Sequence, residues 1–114
     1  PIGSDLWVER AYPLYNVNIT RVDGTISGGV CFTQLNNEKP IHIHVYDGAV
    51  GHAILIIGVN FTYENNEGGV YRIMDPNLPE ITSVAVSPSV IQNGSGFIYA
   101  TGSYTYTNWV RTWY

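Results

Sequence analysis

The chain has 114 residues, 45% of them apolar, and a formal net charge of −4 at pH 7. This length and composition allow one hydrophobic core, so we predict a single domain over residues 1–114. The few basic residues form no cluster that could neutralise phosphates, which argues against nucleic acid as a partner. The longest apolar run, residues 53–57, is far too short for a membrane span.

Most polar residues of the chain are uncharged. Lys39 is the single lysine, whereas Tyr, Thr, Ser, Asn and Gly are abundant. Such a composition is typical of proteins outside the cell, and we expect a secreted or extracellular protein. The single cysteine, Cys31, cannot form an internal disulfide, so it does not indicate the compartment.

The hydrophobic pattern predicts one helix and several strands. Helical spacing occurs over residues 25–37, although two glycines weaken it. Residues 41–46 alternate between apolar and polar, as a strand with one buried face does. Residues 52–60 are apolar on both faces, which predicts a central, covered strand. We predict further strands over residues 70–74, 81–86, 96–101 and 104–110. The sequence therefore predicts an α+β fold, mainly antiparallel β, with one short helix.

Two residues suited to acid–base chemistry stand at the ends of neighbouring strands. His52 begins the apolar strand, and Asp75 follows the returning strand, just before Pro76. If the hairpin loop is centred near residues 64–65, His52 faces position 77, within about two residues of Asp75. A carboxylate on one ring nitrogen fixes the direction of an imidazole, so that the other nitrogen works as a general base. The alternative is that His52 simply starts a strand and Asp75 belongs to an ordinary turn.

Three segments resemble the distal half of the bacterial papain-like cysteine peptidases, including the bacteriocin-processing type. They are Lys-Pro-Ile at residues 39–41, Gly-His-Ala and an apolar run at 51–58, and Asp-Pro-Asn at 75–77. The resemblance implies the right-hand, β-barrel-like subdomain of that family. It also implies that His52 is the general base and Asp75 its orienter in the hydrolysis of a peptide or protein substrate, with no cofactor.

The nucleophile that this resemblance requires is not evident. In the family, a cysteine opens a long helix in a separate left-hand subdomain, and a glutamine precedes it. Cys31 lies only 21 residues before His52, and Gln34 follows it, so we predict that Cys31 is a buried structural residue. The nucleophile would then lie in a missing segment or a Cys-bearing partner chain, and we expect no hydrolysis by the isolated chain. A fragment, a two-chain enzyme and a non-catalytic relative remain alternatives.

Two other sets of residues raise the alternative of a binding protein. His42 and His44 share one strand face and could ligate a metal. With only Asp47 or His52 to complete the set, they are more typical of a polar solvent face, and we predict no metal site. The aromatic residues could form an exposed platform, although in β proteins such residues more often fill the core and edges: Trp7, Trp109, Trp113 and nine tyrosines. The alternative function is therefore a secreted, non-catalytic β-rich module that binds carbohydrate or protein.

Overall fold

A computed structural model describes residues 19–62 and 68–114. The elements in chain order are β1 (Arg21–Val22), α1 (Gly28–Asn36), β2 (Ile41–Tyr46), β3 (Gly51–Thr62), β4 (Gly68–Met74), β5 (Thr82–Val86), α2 (Pro88–Asn93), β6 (Tyr99–Thr101), β7 (Tyr104–Tyr106) and β8 (Asn108–Trp113). Six strands form an antiparallel sheet in the order β1-β8-β2-β3-β4-β5, while β6 pairs with β7 alone. The predicted α+β, mostly antiparallel class is confirmed, and β3 is central, as expected.

One face of the sheet carries the hydrophobic core. Every second residue of β2 is fully buried, as the period of two predicts: Ile41, Ile43 and Val45. Val45 pairs with His52 of β3, and Ile43 pairs with Ile54. His52 therefore continues the core row of β3 and stands at its end, where the sheet stops.

The register between β3 and β4 shifts by one residue in the middle of the hairpin. Towards the loop, Gly58 pairs with Arg72, but on the other side Ile56 pairs with Ile73, so Ile57 is an extra residue. Because side chains alternate between faces, the extra residue exchanges the two faces of β3 relative to β4. Along β3, the core-facing positions accordingly change from even numbers (Ile54, Ile56) to odd numbers (Val59, Phe61) at the bulge. Before the bulge, the opposite face of β3 carries Ala53, which is 4% exposed, and Leu55, which is half-buried, so this part of the strand is apolar on both faces.

The helix α2 corrects the predicted fold, which has only one helix. Ser87 caps it, Pro88 occupies its first turn, and Gly94 ends it with a left-handed φ of 80°. Its last carbonyl, on Asn93, accepts a hydrogen bond from the Thr25 hydroxyl at 2.7 Å. Six residues are too few to show a helical period, so the capping residues are the only sequence pattern that indicates this helix. Neither helix in the described part of the chain has the length and apolar character that crossing a bilayer requires.

The last predicted strand, residues 104–110, is also corrected. The chain breaks at Thr107 into β7 and β8, and these two strands pair with different partners: β7 pairs with β6, and β8 with β1 and β2. The break allows the β6–β7 hairpin to lie against the end of β3, where the ring of Tyr106 stacks on His52. The short strand β1 is likewise absent from the prediction, because two residues cannot show an alternation.

Replacing Gly94 with alanine should destabilise the protein. A Cβ at this position would overlap the Thr25 side chain and lie 3.0 Å from the Ile26 carbonyl oxygen, and its φ of 80° is unfavourable for alanine. We expect the free energy of unfolding to fall by about 2–4 kcal/mol in urea denaturation. The matched control is Gly102→Ala, where φ is 56° and a Cβ meets nothing within 4 Å. It should cost only about 1 kcal/mol, and equal losses in both variants would contradict a steric role for Gly94.

Candidate active site

The predicted pair of His52 and Asp75 is formed. Nε2 of His52 lies 2.8 Å from Oδ1 of Asp75. The two side chains are only 4% and 0% exposed. The last pair in the β3–β4 ladder is Leu55 with Met74, so the same register, continued, sets position 52 opposite position 77, as predicted. His52 reaches Asp75 diagonally, which is within the range of a long side chain in a sheet.

Asp75 accepts three hydrogen bonds. Its Oδ1 accepts from His52 Nε2 and from the backbone N–H of Asn77, each at 2.8 Å, and its Oδ2 accepts from the Tyr99 hydroxyl at 2.6 Å. Burial raises the pKa of Asp75, but the hydrogen bonds from Tyr99, Asn77 and His52 outweigh burial and hold that pKa below its usual value. Asp75 is therefore ionised near neutral pH and acts only as an acceptor.

This carboxylate fixes the tautomer of His52. Because an ionised carboxylate can only accept, Nε2 carries the hydrogen, and the neutral ring has its lone pair on Nδ1. Among the described residues, Nδ1 has no hydrogen-bond partner. The Tyr106 ring stacks on the imidazole, with centroids 5.5 Å apart, and holds it from the side. Such an imidazole can accept a proton at Nδ1 and return it, while Asp75 stabilises the imidazolium.

His52 also lines an open depression with a volume of about 430 Å³. Its walls come from the entry of β3, the turn that follows Asp75 and the tip of the β6–β7 hairpin. Val50, Leu78 and Tyr104 contribute apolar surface, and Asn77 and Ser103 contribute uncharged polar groups. Among the described residues that line this depression there is no Asp, Glu, Lys or Arg. The depression therefore suits an uncharged part of a ligand.

Cys31 lies far from this depression. It is fully buried in α1, and its thiol lies beside the Tyr71 hydroxyl. Burial raises the pKa of the thiol to about 12. Tyr71 pairs with Val59, seven residues along β3 from His52, which corresponds to about 23 Å. Cys31 thus has the surroundings of a structural cysteine and does not reach His52.

His42 and His44 lie on the face of the sheet opposite His52. In the pairing of β2 with β3, His42 lies opposite Leu55 and His44 lies opposite Ala53. The two imidazole rings pack edge-on against the Trp113 ring, at centroid distances of 5.3 and 4.5 Å. They are half-buried, not solvent-exposed as predicted, because Trp113 of β8 covers them. His52 consequently cannot join them around one ion. Within residues 19–62 and 68–114, no three His, Cys, Asp or Glu side chains are placed to hold a metal ion.

Within the described residues, tryptophan does not form the exposed platform that was considered as an alternative. Trp109, in the core, is 6% exposed, and Trp113, which packs against His42 and His44, is 1% exposed. Trp7 lies outside the described residues. Tyr104, in contrast, is 46% exposed and stacks on Tyr106 with centroids 5.9 Å apart. An aromatic ring that a ligand can reach is therefore present at the wall of the depression.

Tyr99 and Tyr106 are the site residues that the sequence prediction missed. Their hairpin has a recognisable signal, since Gly102 and Ser103 separate two segments rich in Tyr and Thr, which is typical of a tight two-residue turn. The structure pairs Tyr99 with Tyr106 across this turn. The pattern does not reveal that the hairpin packs against His52 and Asp75, because that contact joins distant parts of the chain.

Comparisons with models of protein families, with curated proteins and with solved structures found no match to this chain. Its function is therefore inferred from the site itself and from the motifs of the sequence.

Replacing Asp75 with asparagine should destabilise the protein. The amide nitrogen of asparagine is itself a donor, and it would lie against a buried donor that the carboxylate now accepts from. We expect a loss of about 3 kcal/mol at neutral pH in urea denaturation. Since folding holds the pKa of Asp75 below its ordinary 3.8, the stability that its charge contributes is complete above that pH and disappears as the pH falls through the lowered pKa. The difference between wild type and Asp75→Asn should therefore shrink below about pH 4.

The control for this prediction is Asp23→Asn. Asp23 is an exposed carboxylate that accepts hydrogen bonds from Arg21 and Arg111, each at 3.1 Å. An exposed ion pair contributes little, so this variant should lose less than about 1 kcal/mol. If the two variants lost equal stability, or if the loss in Asp75→Asn were the same at every pH, the ionised, buried state of Asp75 would be contradicted.

Proposed function

We propose that this chain is the histidine-bearing half of a papain-like cysteine peptidase, in which His52 is the general base and Asp75 its orienter. The observation that most supports the proposal is the 2.8 Å hydrogen bond between His52 Nε2 and Asp75 Oδ1 at the edge of an open depression. It leaves Nδ1 as the ring nitrogen that can receive a thiol proton. The antiparallel sheet is compatible with the right-hand, β-barrel-like subdomain that the motifs imply.

The proposed reaction requires a cysteine from a further segment or a partner chain. Nδ1 of His52 takes the thiol proton, and the thiolate attacks the carbonyl carbon of the peptide bond. When the tetrahedral intermediate collapses, the C–N bond breaks and Nδ1 gives its proton to the leaving amine. Water then attacks the thioester while Nδ1 takes a water proton. The C–S bond then breaks, Nδ1 returns this proton to the cysteine sulfur, and the product acid is released. Asp75 stabilises the imidazolium in both halves of the reaction.

Cys31 is not assigned the role of nucleophile. Burial raises the pKa of the Cys31 thiol to about 12, so the thiol stays protonated at neutral pH. The thiol is also fully buried in the core. A peptide carbonyl would have to enter that core to meet it, and the side-chain group that contacts the thiol there is the Tyr71 hydroxyl, which is not a base at neutral pH.

A second candidate is a secreted, non-catalytic module that binds carbohydrate or protein through the same depression. It is favoured by Tyr104, an exposed ring beside the uncharged polar groups of Asn77 and Ser103. Aromatic faces next to neutral hydrogen-bonding groups suit sugars and peptide side chains. In this case the pair of His52 and Asp75 would serve only to hold the β6–β7 hairpin against the sheet.

The peptidase proposal predicts how hydrolysis by the complete protein responds to two substitutions. With quenched fluorescent peptides as substrates, His52→Ala should lower kcat/KM at least about a thousandfold, because the base is lost. Cys31→Ala keeps the core apolar and should leave kcat/KM within about a factor of two. The isolated 114-residue chain should hydrolyse none of these peptides. Activity that survives His52→Ala, or single-chain activity that Cys31→Ala abolishes, would overturn the proposal.

The binding alternative predicts a different pattern. Glycans or peptides titrated against the isolated chain should bind without being cleaved, and Tyr104→Ala should weaken binding at least about tenfold through the loss of ring stacking. Tyr46→Ala is the matched control, since Tyr46 is a similarly exposed tyrosine, at 38%, that does not line the depression. Equal weakening by the two variants, or no binding by the wild type, would contradict this alternative.

A further inference from the structure

Tyr99 closes a ring of contacts around the candidate site. His52 bonds to Asp75, Asp75 accepts from Tyr99 at 2.6 Å, and the Tyr99 ring stacks on Tyr106 with centroids 6.3 Å apart and planes at 17°. Tyr106 in turn stacks on His52 at 5.5 Å and 25°. None of the four side chains is more than 5% exposed. Each residue in the ring is therefore held by two others.

The hydroxyl of Tyr99 holds Oδ2 of Asp75, the carboxylate oxygen to which His52 and Asn77 do not bond. His52 and the Asn77 N–H both bond to Oδ1 of Asp75, whereas among the described residues only Tyr99 bonds to Oδ2. The terminal torsion of an aspartate is broad, so a carboxylate held at one oxygen can still turn about its Cβ–Cγ bond. A donor on the second oxygen fixes the carboxylate plane. The direction in which Oδ1 receives the Nε2 hydrogen is then fixed too.

We propose that Tyr99 is a positioning residue: its hydroxyl, through Oδ2 of Asp75, sets the orientation of His52 and keeps the ring hydrogen on Nε2, so that Nδ1 is the free base. The importance of Tyr99 for hydrolysis rests on the proposed function, but its effect on the His52 tautomer does not. The competing account is that the Tyr99 ring only fills the core. Tyr99→Phe separates the two accounts, because it keeps the ring and removes the hydroxyl.

The test is nitrogen-15 NMR of the His52 ring in the whole chain, at a pH where the ring is neutral. In the wild type, the ring signals should show the Nε2–H tautomer and a slowly exchanging Nε2 hydrogen. In Tyr99→Phe, the population of the Nδ1–H tautomer and the exchange rate of the Nε2 hydrogen with water should each rise about tenfold. Neither readout depends on peptidase activity.

Tyr71→Phe is the matched control. Tyr71 is as fully buried as Tyr99, but its hydroxyl lies beside Cys31 and far from Asp75. This variant should leave the tautomer and the exchange rate of His52 unchanged, even where it lowers thermal stability. Unchanged His52 signals in Tyr99→Phe would overturn the proposal. Equal changes in both variants would also overturn it, because they would indicate a general loss of packing.

A second measurement covers the case in which Tyr99→Phe does not fold. Site-specific incorporation of fluorinated tyrosine at position 99 alone makes the Tyr99 hydroxyl more acidic and strengthens its bond to Asp75, while the ring remains and Tyr106, which stacks on His52, is unchanged. The His52 Nε2–H signal should then shift, and an unmoved signal would refute the positioning role. If the tautomer responds as expected but the complete protein cleaves no peptide, Tyr99 keeps this role and only the proposed peptidase function fails.

Discussion

The carboxylate of Asp75 is buried at the end of β4, and a charge in such a place must be surrounded by donors or lose its ionisation. Three donors converge on it from three parts of the chain: the start of β3, the turn after the carboxylate, and the β6–β7 hairpin. The β6–β7 hairpin packs at this end of the sheet, and the imidazole of His52 points towards Asp75, because each of them supplies a donor to the buried carboxylate. A single charge therefore organises the end of the sheet where the depression opens.

The parts of the fold that could be predicted are those with a clear period. The alternation of β2 gave its bounds, Ile41–Tyr46, and the apolar run gave β3 within two residues at either end. The elements that were missed are short or depend on tertiary pairing. β1 has two residues and α2 has six, and the break at Thr107 exists only because β7 and β8 join different partners. No local pattern records such a choice of partner.

The residues of the candidate site likewise fall into those that a local pattern predicted and those that depend on contacts between distant parts of the chain. His52 and Asp75 belong to one hairpin, so the position of the loop was enough to bring them together. Tyr99 reaches Asp75 from 24 residues further along the chain, through a hairpin whose docking place is set by the buried charge. For His42 and His44, the alternation correctly gives a common face. It could not show that Trp113 covers this face, because that contact comes from the far end of the chain.

The bulge at Ile57 has a consequence for how the pair of His52 and Asp75 is encoded. Without the extra residue, the register near the loop would continue, and Asp75 would share its face with odd-numbered residues of β3. His52 would then point to the face that carries His42 and His44. The hydrogen bond between His52 and Asp75 therefore depends on the number of residues between His52 and the bulge, as well as on the two residue types. Lengthening the loop leaves it intact, whereas adding or removing one residue between His52 and Ile56 would turn the imidazole away from its carboxylate.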